Sequence, residues 1–89
     1  MQRKKITIIN KLGLHARAAA KLVQTASAFE SEIYLVQKDK KVSGKSIMGI
    51  MMLAASRGTE IELVISGKDE EQAMAEIEAL IQDRFGEAE

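Results

Sequence analysis

The only histidine of this 89-residue chain, His15, has the residue type and the position that best suit nucleophilic chemistry. It directly precedes a predicted helix over 16–28. If His15 is the N-cap of that helix, its ring lies beside the unpaired amides of Ala16, Arg17 and Ala18. The positive end of the helix dipole disfavours an imidazolium, which keeps the ring neutral and nucleophilic. Helix starts also bind phosphate, so this position suits a phosphohistidine.

Two further observations bear on His15. Arg17 can add a charge-assisted hydrogen bond to an anion carried on the ring. A metal site is disfavoured, because the chain has no second histidine and no cysteine. A lone histidine is nevertheless more often a surface or capping residue than a nucleophile, so the spacing alone leaves both interpretations open.

A second candidate region begins at Ser46, a good N-cap for a short helix that Gly58 can close. Ile50 and Leu53 are expected to point inward. Four apolar residues then stay partly exposed: Ile47, Met48, Met51 and Met52. An exposed methionine-rich patch is typical of an adaptable docking surface. The alternatives are a deeply buried helix and a Ser46 that only caps it.

Hydrophobic periodicity supplies the elements that must position these residues. Period-2 alternation predicts strands over 4–10, 32–37, 40–43 and 60–66. Helices are predicted over 16–28, from Ser46, and after Asp69, where Gln72 resembles a capping-box partner. The last helix is expected to bury Ala73, Ile77, Leu80 and Ile81. The order β-α-β-β-α-β-α favours one sheet with helices on one face.

Composition narrows the class of protein. Residues 1–89 are enough for a single domain. The 13 basic and 13 acidic side chains cancel, which argues against general nucleic-acid binding and against adhesion to anionic membranes. The absence of cysteine favours a reducing compartment. Because no apolar run is long enough for a signal peptide or a membrane span, we expect a cytoplasmic protein with no membrane insertion.

Two motifs together make the chain similar to a known family. GLHAR at residues 13–17 and KSIMGIMML at residues 45–53 resemble the two signatures of HPr. HPr is the histidine-containing phosphocarrier of the bacterial phosphoenolpyruvate-dependent phosphotransferase system. The resemblance covers essentially the whole chain, including the spacing between the motifs and the final helix.

The resemblance implies an α+β fold, the open-faced β-sandwich, in which three helices cover one face of a four-stranded antiparallel sheet. It implies that His15 accepts a phosphoryl group on Nδ1 from enzyme I and passes it to an enzyme IIA domain. Arg17 then steadies the phosphoryl group with the Ala16 and Arg17 amides. Ser46 matches the serine modified by HPr kinase/phosphorylase. The expected docking residues are Ile47, Met48, Met51, Met52, Lys21 and Gln24.

One residue departs from the family pattern, because Ala18 stands where the family usually has proline. Alanine is an excellent helix former, so the helix is expected to survive. We predict a phosphoryl carrier that is not an enzyme, needs no cofactor and acts as a monomer. A regulatory interaction module and the nitrogen-related branch of the phosphotransferase system stay open as alternatives. Discrimination between them depends on which enzyme I and enzyme IIA exchange phosphate with the chain.

Overall fold

The computed structural model describes residues 1–88, and the element order β-α-β-β-α-β-α predicted from the sequence is confirmed. The strands are β1 (Gln2–Thr7), β2 (Glu32–Gln37), β3 (Lys40–Ser43) and β4 (Glu60–Ser66). The helices are α1 (Ala16–Ser27), α2 (Ile47–Met52) and α3 (Glu70–Gln82), followed by a 3₁₀ turn at Arg84–Gly86.

The four strands form one antiparallel sheet in the order β1-β4-β2-β3. Ile6 lies opposite Ile61, and Leu35 lies opposite Leu63. Because side chains alternate along a strand, these residues share the face that the helices cover. The open-faced architecture is therefore confirmed. The two sheet edges, β1 and β3, are rich in cations: Arg3, Lys4, Lys5, Lys40 and Lys41.

The core lies between the sheet and the helices. Of the apolar stripe predicted for α1, Ala19, Leu22 and Ala26 are buried. Val23 is partly buried and packs against the core. The backbone of α1 lies close to those of α2 and α3. On α3 the buried residues include Met74, which the sequence does not predict, while Leu80 is only partly buried.

Two predicted boundaries are wrong. The first strand spans 2–7 instead of 4–10, because its partner β4 begins at Glu60, opposite Thr7. Ile8 still makes backbone hydrogen bonds to Thr59 and Gly58, which precede β4. The second helix ends at Met52, well before Gly58. Ala54 follows in a left-handed conformation with φ 52°, and the amide of Gly58 donates to the carbonyl of Ile8.

The predicted capping box of the last helix is also wrong. Asp69 occupies the N-cap position without making a side-chain cap. Its carboxylate instead accepts hydrogen bonds from the Glu30 amide and from the amide and hydroxyl of Ser31, across to the α1–β2 connection. Gln72 donates to Glu76 on its own helix. Asp69 therefore holds two segments together, a role that local sequence patterns do not reveal.

Within residues 1–88, no helix combines the length and the apolar character needed to cross a bilayer.

Candidate functional site

A tight loop before α1 places His15. Gly13 adopts φ +68°, a left-handed conformation that favours glycine. The next residue, Leu14, is buried and donates its amide to the Ala55 carbonyl at 2.9 Å. The buried side chain of Asn10 donates to the Gly13 carbonyl at 2.8 Å. The loop is thus fixed at both sides of the turn before the chain enters the helix.

His15 is the N-cap of α1, as the sequence predicted. Its backbone is extended, its carbonyl accepts from the Ala19 amide at 2.8 Å, and its Nδ1 accepts from the Arg17 amide at 3.3 Å. An acceptor at Nδ1 requires a lone pair there, so the ring proton of the neutral imidazole resides on Nε2. Nδ1 therefore faces the amides that open the helix, where an anion is stabilised.

The second ring nitrogen has a partner that the sequence did not reveal. Nε2 donates to Oε2 of Glu87, a residue 72 positions away in the chain. The other carboxylate oxygen accepts from the Asn10 side chain at 3.0 Å. The hydrogen bond from Asn10, with a smaller one from His15, holds the pKa of Glu87 below its ordinary value against the opposing effect of desolvation. No periodicity or capping signal marks Glu87, so only the tertiary fold identifies it.

An open cleft of about 780 Å³ adjoins the ring. It is lined by Lys11, Leu12, His15, Ala16, Arg17, Glu87 and Ala88. The structure thus brings His15, Ala16 and Arg17 together as predicted, with the exposed Arg17 side chain at the rim. Among residues 1–88, no three metal-binding side chains cluster in a way that could hold an ion.

Ser46 caps α2 through its side chain, whose Oγ accepts from the Gly49 amide at 3.0 Å. Ile50 and Leu53 point into the core, as expected. The predicted apolar patch is exposed to between 42% and 73%, at Ile47, Met48, Met51 and Met52. The interpretation of a deeply buried helix is therefore wrong. In the loop before His15, Leu12 is also 68% exposed, and it is not among the docking residues predicted from the sequence.

The two expected docking residues of α1 differ in their surroundings. Gln24 is exposed. Lys21 is half-buried, and its Nζ donates to the carbonyl of Phe85 at 2.6 Å. Phe85 is fully buried, so Lys21 ties the C-terminal segment to the helix that carries the site.

An open-faced sandwich that places one histidine nitrogen at the start of a helix, beside an exposed arginine, has a site suited to holding an anion. Comparison with known proteins names the family. The family model described as "PTS HPr component phosphorylation site" matches residues 2–83. The chain therefore belongs to the HPr family, the phosphocarriers of the phosphotransferase system, and is a phosphocarrier instead of an enzyme.

Individual relatives agree over nearly the whole chain. Phosphocarrier protein HPr of Neisseria meningitidis serogroup A is 56% identical over 89 residues, which is 100% of both chains. Phosphocarrier protein NPr of Shewanella violacea is 47% identical over 85 residues, or 96% of this chain and 93% of that one. The crystal structure of HPr-C-His from Thermoanaerobacter tengcongensis superimposes with a TM-score of 0.96, at 49% identity and with 100% of each chain covered.

Proposed function

We propose that His15 carries the phosphoryl group on Nδ1, accepting it from phosphorylated enzyme I and donating it to an enzyme IIA domain. One observation carries the proposal: Nδ1 is the ring nitrogen that faces the amide of Arg17 at the start of α1. A phosphoryl group on Nδ1 would meet backbone donors and the positive end of the helix dipole, which lowers its free energy.

The transfer is a displacement at phosphorus. The Nδ1 lone pair forms the new nitrogen–phosphorus bond, while the bond from phosphorus to its donor breaks and its electron pair leaves with the donor. Arg17 stands at the rim of the cleft, where its guanidinium can bind the equatorial oxygens. Positioning and charge stabilisation are then the protein's main contributions, as is general for phosphoryl transfer.

Incubation with phosphoenolpyruvate and purified enzyme I, followed by intact mass measurement, tests the proposal. We expect one added phosphoryl group that is acid-labile and absent from the His15→Ala variant. A phosphoryl group that is acid-stable, or one that His15→Ala retains, would contradict it. If only the nitrogen-branch enzyme I donates, the chain belongs to the regulatory branch, which the 47% identity to an NPr also allows.

We further propose that Ser46 is modified by an ATP-dependent HPr kinase/phosphorylase. Ser46 opens α2, next to the exposed patch of Ile47, Met48, Met51 and Met52. A phosphate there gains from the helix start but adds about two negative charges beside the surface that docks partners. We expect slower transfer through His15 with little unfolding; equal rates in a stopped-flow transfer assay would contradict this.

The remaining assignments follow from the carrier role. We propose that the chain works in the cytoplasm as a monomer, so that one face can serve enzyme I and enzyme IIA in turn. The docking surface consists of the α2 patch with Lys21 and Gln24. Size-exclusion chromatography with light scattering tests the monomer: a mass of about twice 9.8 kDa at micromolar concentration would contradict it.

A further inference from the structure

We infer that Glu87 is a positioning residue for the phosphoryl transfer, holding the proton of His15 on Nε2 so that Nδ1 keeps its lone pair. The inference rests on the proposed function of His15. It concerns a residue beyond positions 2–83, which are the ones matched by the family model. Glu87 would thus orient the His15 ring in the way that a third group orients the base of a nucleophilic site.

The two ring nitrogens divide the roles. Nδ1 accepts from the Arg17 amide at 3.3 Å, and Nε2 contacts the carboxylate of Glu87. An ionised carboxylate accepts hydrogen bonds and cannot donate them. Glu87 therefore selects the tautomer of His15 that carries the proton on Nε2. The opposite tautomer would face the Arg17 N–H with a second N–H and would leave Glu87 opposite a bare lone pair. Both contacts therefore favour the reactive tautomer.

The carboxylate of Glu87 is itself held in place. Its side chain is only 14% exposed, and Asn10, which is fully buried, bonds both to Glu87 and to the Gly13 carbonyl. The backbone just before it is anchored by the buried ring of Phe85 and by the Lys21 hydrogen bond to the Phe85 carbonyl. One buried amide thus connects the loop that places His15 to the residue that orients its ring.

Charge gives Glu87 a second effect during transfer. When neutral His15 attacks phosphorus through Nδ1, its Nε2 proton stays in place and the ring becomes a cation. The bond from phosphorus to the donor breaks, and the electron pair leaves with the donor. A carboxylate on Nε2 offsets the new ring charge, and the effect acts equally in reverse when the phosphoryl group departs.

The test compares Glu87→Gln with Glu71→Gln, a matched loss of one carboxylate at an exposed position of α3. Phosphoryl transfer from phosphorylated enzyme I is followed by rapid quench. Because a hydrogen bond to an ionised acceptor is about twice as strong as a neutral one, we expect kcat to fall about five- to tenfold at unchanged KM for Glu87→Gln. Glu71→Gln should match the parent protein.

Ring ¹⁵N spectra of the unphosphorylated protein supply a readout that needs no phosphoryl donor. The parent protein should show a protonated Nε2 and a bare Nδ1, whereas Glu87→Ala should show a mixture of the two tautomers. Unchanged ring spectra in Glu87→Ala, or a Glu87→Gln variant that transfers as fast as or faster than the parent, would overturn the inference. Failure of the proposed function is separate: the parent protein would then not be phosphorylated on His15 at all.

Discussion

Replacing Gly13 by alanine gives the sharpest test of how the site is built. Gly13 combines a φ of +68° with very close neighbours: an added Cβ would lie 2.5 Å from the Ala55 carbonyl oxygen and 2.8 Å from Ser56 Cα. Both neighbours are backbone atoms, so neither can rotate away. The turn must open or the 55–56 segment must move, and the loop that holds His15 moves with it.

Gly58 provides a control that separates the cost of a left-handed backbone from the cost of the close contacts. Gly58 also has a positive φ, +89°, but an added Cβ there would meet nothing within 4 Å. Left-handed strain costs about 1–2 kcal/mol, and reduced freedom of the unfolded chain offsets about 0.4–1 kcal/mol of that. Gly58→Ala should therefore lose about 1 kcal/mol. Overpacking adds about 1–3 kcal/mol, so Gly13→Ala should lose about 2–4 kcal/mol.

Urea denaturation measures both variants, and thermal denaturation gives an independent estimate. For a domain of this size, the expected Tm decreases are about 10–30 °C for Gly13→Ala and about 4–8 °C for Gly58→Ala. Phosphoryl transfer should slow only in Gly13→Ala, since the Gly13 carbonyl accepts from Asn10 and from the His15 amide. Equal losses of stability in the two variants would show that the close approach of Ala55 does not constrain the loop.

Three further variants examine other contacts. Phe85→Ala removes a fully buried ring and should lower the free energy of unfolding by about 3 kcal/mol in urea. Ser46→Ala removes the acceptor for the Gly49 amide and should cost about 1 kcal/mol in the same assay. The Ser31 hydroxyl, then the Glu30 amide, lower the pKa of Asp69. Its ionised form therefore contributes stability that is present above about pH 4 and is lost as pH falls through the lower, folded-state pKa. In Asp69→Asn this part of the acid dependence should disappear.

Each of these variants has its own control. Phe85→Leu should keep most of the stability; a loss under about 1 kcal/mol in Phe85→Ala would mean that the C-terminal turn unfolds separately from the core. Ser46→Asp restores an N-cap acceptor and should restore α2, so an equal loss in both Ser46 variants would exclude capping as the cause. If Asp69→Asn kept the acid dependence of the parent protein, another carboxyl group would be responsible for it.

Much of the fold was predictable because it follows from local periodicity. The alternation at Ile61, Leu63 and Ile65 fixes both the strand and its buried face, and the stripe of Leu22 and Ala26 fixes α1. The predicted end of the first strand was wrong because its pairing partner determines where it ends. The first strand ends where Glu60 of β4 begins, which is a property of the pairing and not of residues 8–10.

The candidate site likewise contains some residues that the nearby sequence predicts and others that only the tertiary fold identifies. His15 as an N-cap and the exposed methionines of α2 depend on neighbours a few positions away, so sequence reasoning found them. Glu87 contacts a ring 72 positions away, and Asp69 reaches a loop 38 positions away. Contacts at such separations leave no local pattern, and the acidic residues near the C-terminus look like any solvated helix end.

The basic side chains at the two sheet edges have a consequence for how the molecule behaves among its own copies. An unpaired edge strand offers a row of free amides and carbonyls to any other extended chain. Here β1 carries Arg3, Lys4 and Lys5, and β3 carries Lys40 and Lys41; charged side chains on an edge strand, lysine above all, disfavour its pairing with another chain. A sheet left open on one face and at both sides is thus kept from growing, strand by strand, into an aggregate.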